Sequence, residues 1–245
     1  MNRYLLLTTV ALGASLCWFA GSSLAQESAG SQKKAAAPKK ENPEDHRPGT
    51  FLKVAWNHTG VPEHAIDSTS VADPNIEMHL YGDQPHADPD WGGIWENKRF
   101  ANDPAHTFTG TCRAACGLTL KRKDAMVDLT GLGKLIWNAK AEGFHVVRPL
   151  IKVADGSMYV GDVGDGYAID WHTSEYNLTN VRWRKIDPKT MVNLTSIGGG
   201  GWVTNLDLSK IDEIGFVDLM AGGGHGNGGW TDVAWIQVDG LAVKR

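Results

Sequence analysis

The sequence predicts an all-β fold, an antiparallel β-sandwich of the jelly-roll type with long N-terminal loops. Three observations predict this class. Many short segments alternate apolar and polar side chains, turn signals rich in glycine, aspartate and proline separate them, and neither a strand–helix rhythm nor an internal repeat is present. The chain has 245 residues, enough to bury the core of one such domain.

Residues 76–81 show the alternation most clearly. Their even-numbered side chains are apolar and share one face of the predicted strand, whereas Glu77, His79 and Tyr81 share the other face. We expect the apolar face to pack and the polar face to bind. Further strands are predicted at residues 117–122, 132–139, 158–160, 181–186, 214–219 and 233–238.

Another strand is predicted over residues 144–153. His145 lies on its apolar side, which predicts a buried imidazole with a hydrogen-bond partner, and Arg148 lies on the opposite side. Pro149 indicates a sheet edge or a bulge, because proline cannot donate to a strand ladder.

Two parts of the chain depart from the strand pattern. Residues 208–214 and the surroundings of Asp124 are predicted to form short helices. Residues 49–111 contain five prolines, so we expect only one or two strands there, with long loops over one face of the sandwich.

The N-terminus has the pattern of an export signal. A basic residue precedes an apolar stretch and a small-residue cleavage site, which predicts a signal peptide over residues 1–25. A lipoprotein anchor at Cys17 is the alternative, but the bulky Leu16 does not suit it. The composition of residues 26–48, which have few large apolar side chains, predicts a disordered tether. Residues 49–245 are predicted to form the folded domain. We therefore expect a secreted or periplasmic protein without a membrane span.

The net charge and the cysteine content limit the classes of ligand and metal site that we expect. The formal net charge is −4 and no basic block lies in the folded part, which argues against nucleic acid. After the signal peptide is removed, Cys112 and Cys116 remain, and an oxidising compartment favours a disulfide between them over half of a zinc site.

A loop made mostly of glycine joins two apolar segments near the C-terminus, and it indicates tight backbone geometry or a closely approaching ligand. The order Asp-Leu-Ser-Lys-Ile-Asp-Glu-Ile-Gly-Phe (207–216), glycine loop, Trp-Thr-Asp-Val-Ala-Trp-Ile-Gln-Val-Asp-Gly (230–240) resembles the closing strands of galactose-binding-like β-sandwiches. These are jelly-roll modules common in secreted carbohydrate-active proteins. The resemblance runs from about Val127 onward.

Tryptophans supply the clearest binding chemistry, because a pyranose ring stacks its C–H face on an aromatic ring while polar side chains meet its hydroxyls. Three tryptophans lie within apolar alternation and are predicted to be core: Trp137, Trp183 and Trp235. Six others lie beside polar residues or glycine and are candidate platforms: Trp56, Trp91, Trp95, Trp171, Trp202 and Trp230.

We predict one ligand site that combines the glycine loop with the polar face of residues 76–81. Its predicted residues are Glu77, His79, Tyr81, Arg148, Trp171, His172, His225, Asn227 and Trp230. Residues 162–175 are rich in carboxylates and are compatible with a sugar, a calcium ion or solvated turns. The galactose-binding-like resemblance adds weight to a structural calcium ion, although no EF-hand register is present.

No motif of a hydrolase, kinase or dinucleotide-binding enzyme is present. Together with the galactose-binding-like resemblance and the loop tryptophans, this predicts a secreted protein that recognises a poly- or oligosaccharide without catalysis. One alternative is a polysaccharide-degrading enzyme, either a hydrolase with paired carboxylates or a lyase built on His79, Tyr81 and Arg148. Another is a structural or assembly module that binds protein.

Overall fold

A computed structural model describes residues 47–57, 63–84, 92–97, 102–191, 201–224 and 228–245. The predicted signal peptide and nearly all of the predicted tether lie outside these residues. The described residues form fifteen strands: β1 Thr50–Ala55, β2 Glu63–Ala65, β3 Ile76–Gly82, β4 Trp95–Asn97, β5 His106–Phe108, β6 Cys116–Arg122, β7 Met126–Asp128, β8 Lys134–Gly143, β9 Arg148–Val153, β10 Met158–Gly161, β11 Ala168–Asn177, β12 Trp183–Ile186, β13 Ile211–Asp218, β14 Gly229–Asp239 and β15 Leu241–Val243.

The strands form two antiparallel sheets. The first sheet has the order β11-β8-β14-β5-β4-β2, with β1 also paired to β14, and the second has the order β12-β10-β9-β13-β6-β3, with β7 and β15 joined to it through β13. The chain passes repeatedly between the sheets, as in a jelly roll. The predicted all-β antiparallel β-sandwich is confirmed.

The core lies between the sheets, because alternate side chains of each strand point inward. Strand β8 contributes the fully buried Leu135 and Trp137, and they belong to one apolar cluster with Leu118 and Phe216 of the second sheet. Burial of one such side chain contributes about 1.5–3 kcal/mol to folding. Trp137 and Trp183 are core residues, as predicted.

The two predicted helices are wrong. Residues 211–218 form strand β13 at the centre of the second sheet, where Glu213 pairs with Lys152 of β9, and Asp124 lies in the turn between β6 and β7. Pairing on both sides of β13 overrides a local pattern that suits a short helix. The only helical segments among the described residues are single 3₁₀ turns at Ser68–Ser70 and Leu178–Asn180. No described helix is long and apolar enough to cross a membrane.

Two further differences concern strands. Pro149 does not mark a sheet edge, since β9 lies between β10 and β13; it is the second residue of β9, opposite Phe216. The N-terminal region is also richer in strands than predicted, because β1 to β5 all precede Thr109. Of the five prolines, Pro74 and Pro104 lie among the described residues, and both stand between strands.

The glycine loop is shaped by backbone contacts. A Cβ atom on Gly222 would lie 2.4 Å from the backbone of Gly110, and the amide of Gly222 donates to the carbonyl of Cys112 at 2.7 Å. Gly229 has a φ of 93°, which side chains rarely adopt. Of the two predicted explanations, tight backbone geometry is therefore the one that the described residues support.

The predicted disulfide between Cys112 and Cys116 is present beside this loop. Because it closes a loop of few residues, it removes little entropy from the unfolded chain. We expect reduction to lower the free energy of unfolding by about 2 kcal/mol. Chemical denaturation with and without reductant measures the difference. Two free thiols in the native oxidised protein would contradict the pairing.

Candidate functional site

The outer face of the first sheet carries a cluster of aromatic and charged side chains. Trp230 and Asp232 of β14 lie directly opposite Glu142 and Lys140 of β8. Directly opposite residues of an antiparallel pair point to the same face. Since the intervening residues Ala139 and Ala141 face the core, these four side chains project outward.

Register shifts interrupt the strand pairing on both sides of β8, and the first of them brings a further side chain to the cluster. In β11, Ala168 pairs with Ala141 and His172 with Ala139, so that residues 169–171 all lie opposite Lys140. In β14, a second shift lies between Val233 and Trp235. Such bulges re-aim side chains and are common beside binding sites. Here the first bulge presents Trp171 over Lys140.

Lys140 is the centre of the cluster. Its Nζ lies 4.4 Å from the ring centroid of Trp171 and 5.4 Å from that of Trp230. It also forms ion pairs with Asp232 at 3.5 Å and Asp103 at 3.9 Å. Both tryptophans are partly exposed. We call this cluster the tryptophan face; it consists of Asp103, Lys140, Glu142, Trp171, Trp230 and Asp232.

Asp232 is the unusual member of the tryptophan face. Its side chain is buried, with 3% of the residue exposed, and its Oδ1 atom has no hydrogen-bond partner. Burial raises the pKa of this carboxyl well above its usual range, against the opposing effect of Lys140. A buried polar atom without a partner is costly and rare in folded proteins, so Oδ1 is a candidate contact for a ligand.

The predicted residues Glu77, His79 and Tyr81 lie elsewhere, on the outer face of the second sheet. The buried carboxylate of Glu213 accepts hydrogen bonds from Tyr81 OH at 2.6 Å, Thr119 Oγ1 at 2.6 Å and Lys152 Nζ at 2.8 Å. His79 Nδ1 lies 3.0 Å from the same carboxylate, within ion-pair distance. Glu77 lies 3.9 Å from His79.

The groups around Glu213 stabilise its charged form. Burial raises the pKa of Glu213, but the hydrogen bonds of its four donors outweigh burial and hold the pKa well below its usual range. Burial and the neighbouring carboxylate raise the pKa of Tyr81 to about 12, so its phenol stays protonated near neutrality. A shallow depression of about 510 Å³ lies beside the network, lined by Met78, His79, Leu80, Tyr81, Gln84 and Lys152.

The structure therefore divides the predicted site between two opposite faces. Trp171 and Trp230 share the tryptophan face, whereas the polar face of β3 belongs to the other sheet. The side chain of Arg148 donates to the backbone of Asp162 at 3.1 Å and does not join the Glu213 network among the described contacts. His225 and Asn227 lie outside the described residues. Within the described parts of the chain, the predicted site residues therefore do not form a single site.

His172 and the carboxylates near it hold the edge of the first sheet. His172 lies 3.4 Å from Asp165, and Asp165 also accepts hydrogen bonds from Trp137 and Tyr176, both at 2.6 Å. Asp162 pairs with Arg182 at 2.6 Å. Within the described residues, no group of three or more His, Cys, Asp or Glu side chains is arranged to hold a metal ion. The structural calcium ion stays a prediction.

The remaining candidate tryptophans have other roles. Trp56 is buried and donates to the carbonyl of Val233 at 2.6 Å, so its prediction as an exposed platform is wrong. Trp235 is partly exposed, and Lys53 Nζ lies 4.9 Å from the centroid of its ring, so the prediction of Trp235 as a core residue is also wrong. Trp95 donates to the carbonyl of Gly92, and Trp202 lies under Arg184. Trp91 lies outside the described residues.

Sequence reasoning missed the four charged members of the tryptophan face: Asp103, Lys140, Glu142 and Asp232. Lys140 lies just beyond the predicted strand at 132–139, and extending that alternation by one residue places it outward. Asp232 is two residues from Trp230, so strand alternation places both on one face. Asp103 comes from the loop before β5, and no local pattern connects it to β8.

A scan against protein-family models finds no match, and neither does a search of curated proteins. Several solved structures are similar in fold. The family 11 carbohydrate-binding module of a cellulosomal cellulase from Clostridium thermocellum is 16% identical over 75% of this chain and 97% of its own, with a TM-score of 0.37. The carbohydrate recognition domain of Emp47p is 9% identical over 82% of this chain and 99% of its own, with a TM-score of 0.35. At such TM-scores, function has to be argued from the site itself.

Proposed function

We propose that this protein is an exported β-sandwich that binds a poly- or oligosaccharide non-catalytically on the tryptophan face. One observation carries the proposal: two partly exposed indole rings lie against the same ammonium group, above a buried carboxyl whose Oδ1 has no partner. Pyranose rings need aromatic surface for their C–H faces and fixed polar atoms for their hydroxyls. The tryptophan face offers both.

The site is also held rigidly. Lys140 and Asp232 come from paired strands, and the indole N–H of Trp171 is directed at Asp103 at 3.4 Å. The ring of His106 packs edge-on against the ring of Trp171, with their centroids 5.2 Å apart. Side chains fixed before binding lose less conformational entropy when the ligand arrives, so preorganisation supports affinity.

A polysaccharide-degrading enzyme is the second candidate. Its supporting observation is a carboxyl of raised pKa, Asp232, that lies across Lys140 from the carboxylate of Asp103. Glycosidases use two carboxyl groups of different protonation. Against this, Oδ2 of Asp232 already lies 3.5 Å from both Lys140 Nζ and His106 Nε2, so this oxygen is engaged within the protein. Product formation lost in Asp232→Asn would favour the enzyme over the binding module.

The test of binding is Trp171→Ala and Trp230→Ala. Each should raise the dissociation constant of a bound oligosaccharide about tenfold to a hundredfold, because a sugar–aromatic stack is removed. Glycan-array screening identifies the ligand, and calorimetric titration measures the affinity.

Trp235→Ala is the matched control. Trp235 is on the same strand and face as Trp230 and also lies under a lysine, but it is not part of the tryptophan face. Its substitution should leave the affinity unchanged. If all three variants bind alike, or if Trp230→Ala lowers the melting temperature without changing affinity, the binding role is rejected and a protein-binding module gains support.

A further inference from the structure

The tryptophan face carries more negative than positive charge. Lys140 is surrounded by Asp232 at 3.5 Å and Asp103 at 3.9 Å, and Glu142 lies opposite Trp230 on the same face. Asp170 is exposed on the bulge beside Trp171. Among the described residues of this face, the carboxylates of Asp103, Glu142 and Asp170 outnumber the ammonium group of Lys140 even with Asp232 protonated beside His106, whose Nε2 lies 3.5 Å from it. An anionic ligand such as a uronate would therefore meet like charge.

The aromatic rings also favour a positively charged ligand. Indole faces attract cations, and both Trp171 and Trp230 already lie within 5.4 Å of an ammonium group. The buried Oδ1 of Asp232 is an independent sign of a missing partner, since it has no hydrogen-bond partner among the described residues. A ligand ammonium supplies both a donor for such an atom and a charge that the face attracts.

We infer that the tryptophan face selects amino sugars with a free ammonium group over neutral sugars and over uronates. This inference rests on the proposed function and adds the chemical class of the ligand. The sugar ring stacks on indole, as for any pyranose, while the ammonium group lies among Asp103, Glu142 and Asp232.

The experiment compares three β-linked hexasaccharides of glucosamine, glucose and a uronic acid, titrated into the purified chain at about pH 6, where the amine is charged. We expect glucosamine to bind about tenfold more tightly than glucose, and the uronate more weakly than glucose. The preference should shrink as salt is added, because exposed charges are screened.

Glu142→Gln is the diagnostic variant, and Glu175→Gln is its matched control. Both carboxylates lie on the outer face of the first sheet, but Glu175 pairs with Lys134 away from the tryptophan face. Glu142→Gln should weaken glucosamine binding about threefold to tenfold and leave glucose binding unchanged, whereas Glu175→Gln should change neither.

The outcomes separate the two proposals. Glucose or uronate binding as tight as glucosamine binding, still lost in Trp230→Ala, would overturn the charge selectivity and leave the carbohydrate site intact. Failure of every hexasaccharide and of a wider glycan array to bind would overturn both. An equal loss of glucosamine affinity in Glu142→Gln and Glu175→Gln would also overturn the selectivity, since it would reflect net charge alone.

Discussion

Glu213→Ala should lower the free energy of unfolding by about 3–5 kcal/mol, because it removes the acceptor at the centre of a buried polar network. Thr119 and Glu213 are both fully buried, so the Thr119 hydroxyl would lose its acceptor without gaining water. Lys152 would keep a charge in a half-buried position that is no longer neutralised. Chemical denaturation at neutral pH measures the loss.

Asp212→Ala is the control for this prediction. Asp212 precedes Glu213 on the same strand and forms ion pairs with Lys121 at 3.1 Å and with Arg245, but all three side chains reach solvent. Each solvent-exposed pair of this kind contributes about 1 kcal/mol or less. A loss in Glu213→Ala no greater than the loss in Asp212→Ala would show that the Glu213 network does not stabilise the fold.

Acid provides a second measurement of the same network. The folded-state pKa of Glu213 lies below its ordinary value, so its contribution is fully present above the unfolded pKa and is lost as the pH falls through the folded pKa. As the pH is lowered, the free energy of unfolding of the natural chain should therefore fall more steeply than that of Glu213→Gln. Equal slopes in the two proteins would contradict the assignment.

Strand alternation predicted most of the sandwich, because a half-buried strand leaves a period of two in its own sequence. The period cannot say which sheet a strand joins. For that reason the polar face of residues 76–81 and the segment ending at Trp230 were predicted to share a site, although β3 and β14 belong to different sheets. Residues 208–214 show the converse case, where pairing with two neighbours decides a segment that is locally ambiguous.

The sequence analysis identified the aromatic members of the tryptophan face and missed its charged members. Trp171 and Trp230 were found because they stand beside polar residues in the sequence. Their proximity depends on a bulge of three residues opposite Lys140, and a bulge leaves no periodic trace. The ion pair from Asp103 joins a loop to a strand 37 residues away, which only tertiary packing creates.

Asp218→Ala should be among the most destabilising substitutions, with a loss of about 3–5 kcal/mol, since Asp218 connects the two sheets below the glycine loop. Its Oδ2 lies 2.6 Å from His145 Nδ1 and also accepts from Thr109 at 3.0 Å and Thr231 at 3.2 Å. All four residues are buried. The prediction of a buried, partnered His145 agrees with this geometry.

The His145–Asp218 pair also predicts a pH dependence of opposite sign to that of Glu213. The hydrogen bond to Asp218 raises the pKa of His145, against the effect of burial. The stabilisation from the charged imidazole is therefore complete below the ordinary histidine pKa and is lost as the pH rises through the folded-state value. Unfolding free energies measured from about pH 6 to about pH 9 should fall in the natural chain and change less in His145→Gln. Because the other histidines are retained in that variant, the difference between the two curves isolates this pair. A natural chain whose stability rises over this range relative to His145→Gln would show that the imidazole is held neutral, and would remove the ion pair from below the glycine loop.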